Sequence, residues 1–181
     1  MKKISVILVI CISLCASFHT SAQAITNEDI KAQFLKDWQR AKDYTISYLN
    51  TMPGDRYSFK AVDSIRSFSQ QMLHLAQVNA VFFSAITGEP NAMAKANLEG
   101  SATAQSRDSV VYYVTTSYDF AINSLRKLNA SALGEKIKVF GMEETKFTWL
   151  LKAFEHQTHH RGQTTIYIRL LGIKPPQERL F

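Results

Sequence analysis

Phe154-Glu155-His156-Gln157-Thr158-His159-His160-Arg161-Gly162-Gln163 sits inside a longer segment of helical period, Glu143 to Leu171. Gly172 and then Pro175-Pro176 stop it, a usual C-terminal signature of a helix. On a helix, His156 and His160 stand four apart on one face, a turn from each other. At about 100° per residue, His160 lies about 40° from His156, and His159 falls about 60° to the other side. Trp149, Gln163 and Tyr167 share the His160 sector. A helix this long must bury its apolar stripe against other elements, so the rest of the chain has to supply them.

Three more segments carry the same period. Asn27 to Met52 repeats Ile30, Phe34, Trp38, Ala41, Thr45, Tyr48 and Met52. Thr26 and Asp29 form a capping box before it, and Pro53-Gly54 ends it. Asp63 or Ser64 to Thr87 repeats Ile65, Phe68, Met72, Leu75, Asn79 and Phe82, and Gly88-Glu89-Pro90 stops it. Ser106 to Leu128 repeats Val111, Val114, Tyr118, Ala121, Leu125 and Leu128. Four amphipathic helices without a convincing strand pattern predict an all-α four-helix bundle. The 18 residues from Gly88 to Gln105 could reach roughly 60 Å when extended, past a helix of about 36 Å. A crossover that sets helices 2 and 3 parallel is therefore within reach. Ala130 to Gly141 could cross as well, or hold a short helix or strand around Ile137-Lys138-Val139-Phe140.

Residues 1–24 are set apart from this pattern. Lys2 and Lys3 precede an apolar run from Ile4 to Ala16, and Ala22-Gln23-Ala24 fits a small-x-small cleavage site, together the pattern of a secretory signal. The run is shorter than the about 20 residues that a spanning helix needs. A lipoprotein would want a small residue before its cysteine, but Ile10 precedes Cys11 and Leu14 precedes Cys15. Cleavage after Ala24 would leave residues 25–181 as a single domain of 157 residues, periplasmic or secreted and with no membrane anchor. Both cysteines leave with the signal, which excludes a protein thiolate as nucleophile or ligand. Two lysines and no acid leave too, so the net charge falls from +6 to +4. Its bases are scattered, with no stripe for nucleic acid.

Of the four histidines that remain, three lie between residues 156 and 160, and His74 alone lies elsewhere. A pair spaced HxxxH is common as a plain polar stripe. A metal site needs three or four ligands, and the count points to His74, at the margin of the second apolar stripe. Bundles build metal sites from facing helices. Three neutral imidazoles with an open fourth position describe a catalytic site rather than a structural one. They suit zinc, nickel, iron or copper without selecting among them. Such an ion can acidify a bound water or thiol and polarise a carbonyl. A zincin is disfavoured, because Gln157 follows His156 where HExxH places its general base. Arg161 is expected to pair with an acid on a neighbouring helix, Gly162 to permit close approach of another helix, and Gln163 to support the ligands. Trp149 and Tyr167 read as core. No Ser/His/Asp set and no Gly-rich phosphate loop can be assembled.

With those residues in view, the chain resembles the DinB-like family, named for damage-inducible proteins and related to bacillithiol and mycothiol S-transferases. The match rests on His156-Gln-Thr-His-His160-Arg161-Gly162-Gln163 and on Tyr167-Ile-Arg-Leu-Leu-Gly172-Ile-Lys-Pro175-Pro176. Ser64-Ile65 through Met72-Leu73-His74-Leu75 resembles the family's second-helix motif. The resemblance implies an up-down-down-up bundle and a divalent metal (zinc, nickel or iron) held by His74, His156 and His160. It leaves His159 beside the ligands, with Arg161 and Gln163 as neighbours that support or orient them. It also implies a homodimer, though no seam in the sequence marks one. Relatives use the metal to activate a low-molecular-weight thiol. Those thiols are cytosolic, so an exported chain points away from that cofactor. The expectation is an exported metalloprotein acting on a small molecule as a hydrolase or transferase. Its rivals are a non-catalytic metal-binding or stress-response protein and a structural bundle with empty histidines. The sequence shows no DNA-binding element.

Overall fold

The computed structural model describes residues 24–181. The expected signal segment therefore lies outside the described residues, apart from Ala24. Four helices form the body: α1 Asn27–Thr51, α2 Phe68–Thr87, α3 Arg107–Lys127 and α4 Lys146–Leu170. The expected Thr26–Asp29 capping box opens α1, with the Asp29 amide donating to Thr26 Oγ1 (3.1 Å) and the Thr26 amide to Asp29 Oδ2 (3.0 Å). Among the described residues, no helix is long and apolar enough to cross a membrane.

Helix α2 starts later than the periodicity predicts. Ser67 and Gln70 form its capping box, and the segment before it folds back on the helix end. Phe59 and Tyr57 carbonyls accept the Phe68 and Ser69 amides, at 3.0 and 2.8 Å. These are amides that a helix start leaves without partners, so the stop is set by the preceding loop. Ile65, placed on the expected stripe, packs against the core from that loop.

A second difference lies before α4. Lys136–Val139 (β1) and Met142–Thr145 (β2) form an antiparallel hairpin with Val139 opposite Met142. The segment whose form the sequence left open thus holds a short 3-10 helix, Ala130–Gly134, and then a strand, and residues 143–145 join the hairpin rather than the helix. The turn between them has Phe140 at φ 51 and Gly141 at φ 84, positive at both positions as a two-residue type I′ turn requires. The strands are four residues each and mostly exposed, so they carry little apolar alternation to read.

Pairwise contacts fix the helix directions. Phe34, Trp38 and Tyr48 of α1 meet Phe147, Phe154 and Thr165 of α4, so these helices are parallel. Gln71, His74 and Phe82 of α2 meet His160, His156 and Trp149, so α2 runs against α4. Asn79 reaches Ser117, while Ser69 and Glu89 at the two ends of α2 reach Gln105 and Ser124. Helices α2 and α3 are therefore parallel, and the bundle runs up-down-down-up. At its centre Trp38, fully buried, lies 4.8 Å from the Phe83 ring, 5.7 Å from Tyr118 and 5.7 Å from Phe154. Each helix gives one ring to that cluster. Truncating such a residue to Ala costs about 3–5 kcal/mol.

Candidate metal centre

The antiparallel contact of α2 with α4 brings His74 to the face that carries His156 and His160. One ring nitrogen from each lies within 4.8 Å of the other two. His74 Nε2 and His156 Nε2 are 3.3 Å apart, and the ring centroids of His74 and His156 lie 4.5 and 4.4 Å from that of His160. The three rings are partly open to solvent at His74 and His156 and buried at His160.

Neighbouring side chains select which nitrogens face inward. Glu99 Oε1 lies 2.6 Å from His74 Nδ1. A carboxylate accepts only, so this nitrogen carries the proton and Nε2 keeps its lone pair. Gln71 Oε1 lies 2.7 Å from His160 Nδ1, and with the amide oxygen accepting there, Nε2 of His160 is likewise left free. His156 Nδ1 is buried without a partner. Arg66 Nε donates to the other oxygen of Glu99, and the Tyr167 hydroxyl donates to the Arg66 carbonyl at 2.6 Å. Tyr167 therefore anchors the chain that carries Arg66.

Electrostatics keep two of the three rings, His156 and His160, neutral. Burial, with the charges of its imidazole neighbours, pushes His160 down to about 3. Burial first and then His74 push His156 down to about 4. Both rings are therefore unprotonated at neutral pH, as ligands must be. Burial pulls Glu99 upward, but the hydrogen bonds from Arg66 and His74 outweigh it and hold the carboxyl below its usual range.

Three expected neighbours of the cluster behave differently. Arg161 is buried on the side facing α1. Its Nη1 donates to Gln157 Oε1 (2.8 Å) and Thr45 Oγ1 (3.4 Å), and its guanidinium lies over the Tyr44 ring at 4.6 Å. No acid pairs with it among the described residues, so the expected ion pair is replaced by neutral acceptors and a ring face. Gln163 bonds the exposed His159 at 2.8 Å and neither of the other two histidines. A Cβ on Gly162 would meet nothing within 4 Å, so no helix comes close there. Trp149 is buried as expected, against Phe82.

Gln71, Glu99 and Arg66 are the residues that sequence reasoning missed. Gln71 carries a faint signal, since it stands three residues before His74 and shares its helix face. Glu99 lies in the α2–α3 connection, where no period indicates what it faces.

The comparisons agree with this architecture. A search of curated proteins finds no match. Among solved structures, a DinB-like protein from Bacillus cereus ATCC 10987 is similar with a TM-score of 0.71 at 18% identity, over 81% of this chain and 95% of that one. A DinB-like protein from Bacillus subtilis gives a TM-score of 0.64 at 20% identity, over 82% of this chain and 96% of that one. At such identities the likeness speaks for the fold. The family model of the DinB family matches residues 22–179, and this chain, with its bundle and its three-histidine cluster, belongs to the DinB family.

Proposed function

We propose that His74, His156 and His160 hold one divalent transition ion with an open coordination position, and that the protein is an exported metal-dependent hydrolase or transferase. The convergence of one nitrogen from each histidine carries this reading. Two nitrogens bound at about 2.0–2.1 Å to a tetrahedral ion stand roughly 3.4 Å apart, close to the 3.3 Å between His74 Nε2 and His156 Nε2. Glu99 and Gln71 occupy the opposite nitrogens of His74 and His160, the support that metal-binding histidines ordinarily receive. The donor set suits zinc, nickel or iron. A bound ion would supply a Lewis acid that polarises a substrate oxygen or acidifies a water or thiol.

The chain's own groups define the surroundings. Phe82, whose ring is 6.1 Å from that of His156, and Phe140, 5.6 Å from Phe82, set an apolar wall on one side. Glu99, the carboxylate touching the cluster, is already engaged by His74 and Arg66. It holds a proton on His74 Nδ1 and orients that ring rather than serving as a free base. That engagement favours the second reading, a metal-binding protein without turnover.

Metal analysis of tag-free protein tests the site. The wild type should carry close to one ion per chain and His156→Ala much less; equal metal in both would rule the site out. A screen for metal-dependent ester hydrolysis and thiol consumption separates the two readings, since uniform inactivity of loaded protein favours the binder. Export rests on the basic, apolar and small-residue pattern of residues 1–24. Mass spectrometry of the periplasmic fraction should find a chain beginning at Ile25, and an intact Met1 or Lys2 start would sink this part.

A further inference from the structure

Arg161 does not serve the histidine cluster, yet it is only 5% exposed. Its two protein acceptors, Gln157 Oε1 and Thr45 Oγ1, are neutral, and both are reached through Nη1. The Tyr118 hydroxyl, a further neutral neighbour, also borders the guanidinium. An arginine stays protonated at any working pH, and a buried charge without a counter-charge is expensive. Beside it lies a cavity of about 230 Å³ between α1, α4 and the C-terminal tail. Arg40 lines the same cavity. It gives Nη1 to the Arg179 carbonyl (2.6 Å) and Nη2 to Asp37 (3.1 Å), while its Nε is buried with no partner. The Tyr44 and Tyr48 hydroxyls, 3.4 Å apart, complete the polar lining from α1. Burial, reinforced by the Tyr48 hydrogen bond, pushes the Tyr44 phenol up to about 12, so it stays a donor.

We propose that this cavity, walled by Arg161, Arg40, Tyr44 and Tyr48, is a binding site for a small oxyanion, a carboxylate or a phosphate, separate from the histidine cluster. Guanidinium edges bind such groups by paired charge-assisted hydrogen bonds, and a bound anion neutralises the buried charge. The volume falls below the about 300–1,000 Å³ of pockets for drug-sized molecules, so the ligand has few heavy atoms. Glu178, exposed on the tail and lining the cavity, pairs with neither arginine. Its carboxylate competes with the incoming anion.

The proposal is independent of the metal. Tag-free full-length protein, as purified, is titrated calorimetrically with inorganic phosphate and with acetate at constant ionic strength, with chloride as the blank. Saturable one-site binding of at least one probe is expected, and the preferred probe tells phosphate from carboxylate. Arg161→Gln and Arg40→Gln should each weaken it by at least about tenfold. Glu178→Gln should strengthen it, and metal content should not change. Circular dichroism checks each fold; if Arg161→Gln does not fold, Arg40→Gln and Glu178→Gln decide. Heats no different from chloride in the wild type, or equal affinity in all folded variants, would overturn the site.

Discussion

Glu99 Oε1 sits 2.6 Å from His74 Nδ1, so a residue of the α2–α3 connection fixes the tautomer of an imidazole on α2. The same carboxylate is gripped by Arg66 just ahead of α2, and Tyr167 of α4 holds the Arg66 backbone in turn. The chain from α4 through Arg66 and Glu99 to His74 ties the cluster to the loops at its edge. A crossover long enough to run the length of the bundle also brings the acid that orients one histidine.

Replacing Glu99 by Gln should therefore lower metal affinity without removing any ligand. The amide is isosteric but uncharged, and it can present a donor where His74 Nδ1–H needs an acceptor. Loss of a partner of this kind typically costs about 10–100-fold in affinity. Competition against a chromophoric chelator measures it, with His156→Ala as the reference for loss of a ligand. An affinity equal to wild type would mean that Glu99 does not orient His74.

His159 offers the converse case. It lies within the densest histidine stretch of the chain, but its exposed ring bonds only Gln163. His159→Ala should leave metal content and chelator competition within about twofold of wild type, because removing an exposed partner leaves no buried group unsatisfied. A large loss of metal would place His159 among the ligands and require a different rotamer for the site.

Much of this arrangement was legible in the sequence because it follows a period. The stripe through Phe34, Trp38, Thr45 and Tyr48 is the buried face of α1, and the i, i+4 spacing of His156 and His160 places both rings together. What escaped depends on chain reversals. The start of α2 moved because Tyr57 and Phe59 carbonyls cap it from outside. The hairpin hid because its strands are short and exposed. Glu99 and Arg66 meet around His74 only after loop and helix are folded, and no spacing encodes that meeting, while Gln71 reaches His160 on the facing helix. Arg161 was misread for a related reason: its partners Thr45 and Tyr44 are far away in sequence and carry no charge to suggest a pairing.

Gly162 gives a test of helix α4 itself. It lies mid-helix and exposed, with a negative φ and with open space where a Cβ would go. Ala is favoured over Gly in a helix interior by about 1 kcal/mol, and no clash offsets the gain. Gly162→Ala should raise the stability by about 0.5–1 kcal/mol, a Tm increase of roughly 1–4 °C for a chain of this size. A lower Tm would show a close approach that the structure does not contain.

The depressed histidines set a pH dependence for the metal-free protein. In the unfolded chain an imidazole binds its proton near pH 6.5, whereas folded His156 waits until about 4 and His160 until about 3. Between those limits the unfolded state carries more protons, so acidification favours unfolding and stability falls as pH drops below about 6.5. The slope has a ceiling of about 1.4 kcal/mol per pH unit for each histidine, and solvent around the partly open His156 ring keeps its share below that. Glu99, whose carboxyl is also held low, adds a loss of the same sign only at lower pH, where an unfolded carboxyl would begin to protonate. Urea midpoints between pH 7.5 and 5 therefore isolate the histidines. The wild type stripped of metal should lose stability steadily across that window, and a His156→Gln/His160→Gln double variant should lose distinctly less. Parallel curves for the two proteins would mean that folded His156 and His160 bind protons as readily as unfolded imidazoles, and that these two rings are not held neutral.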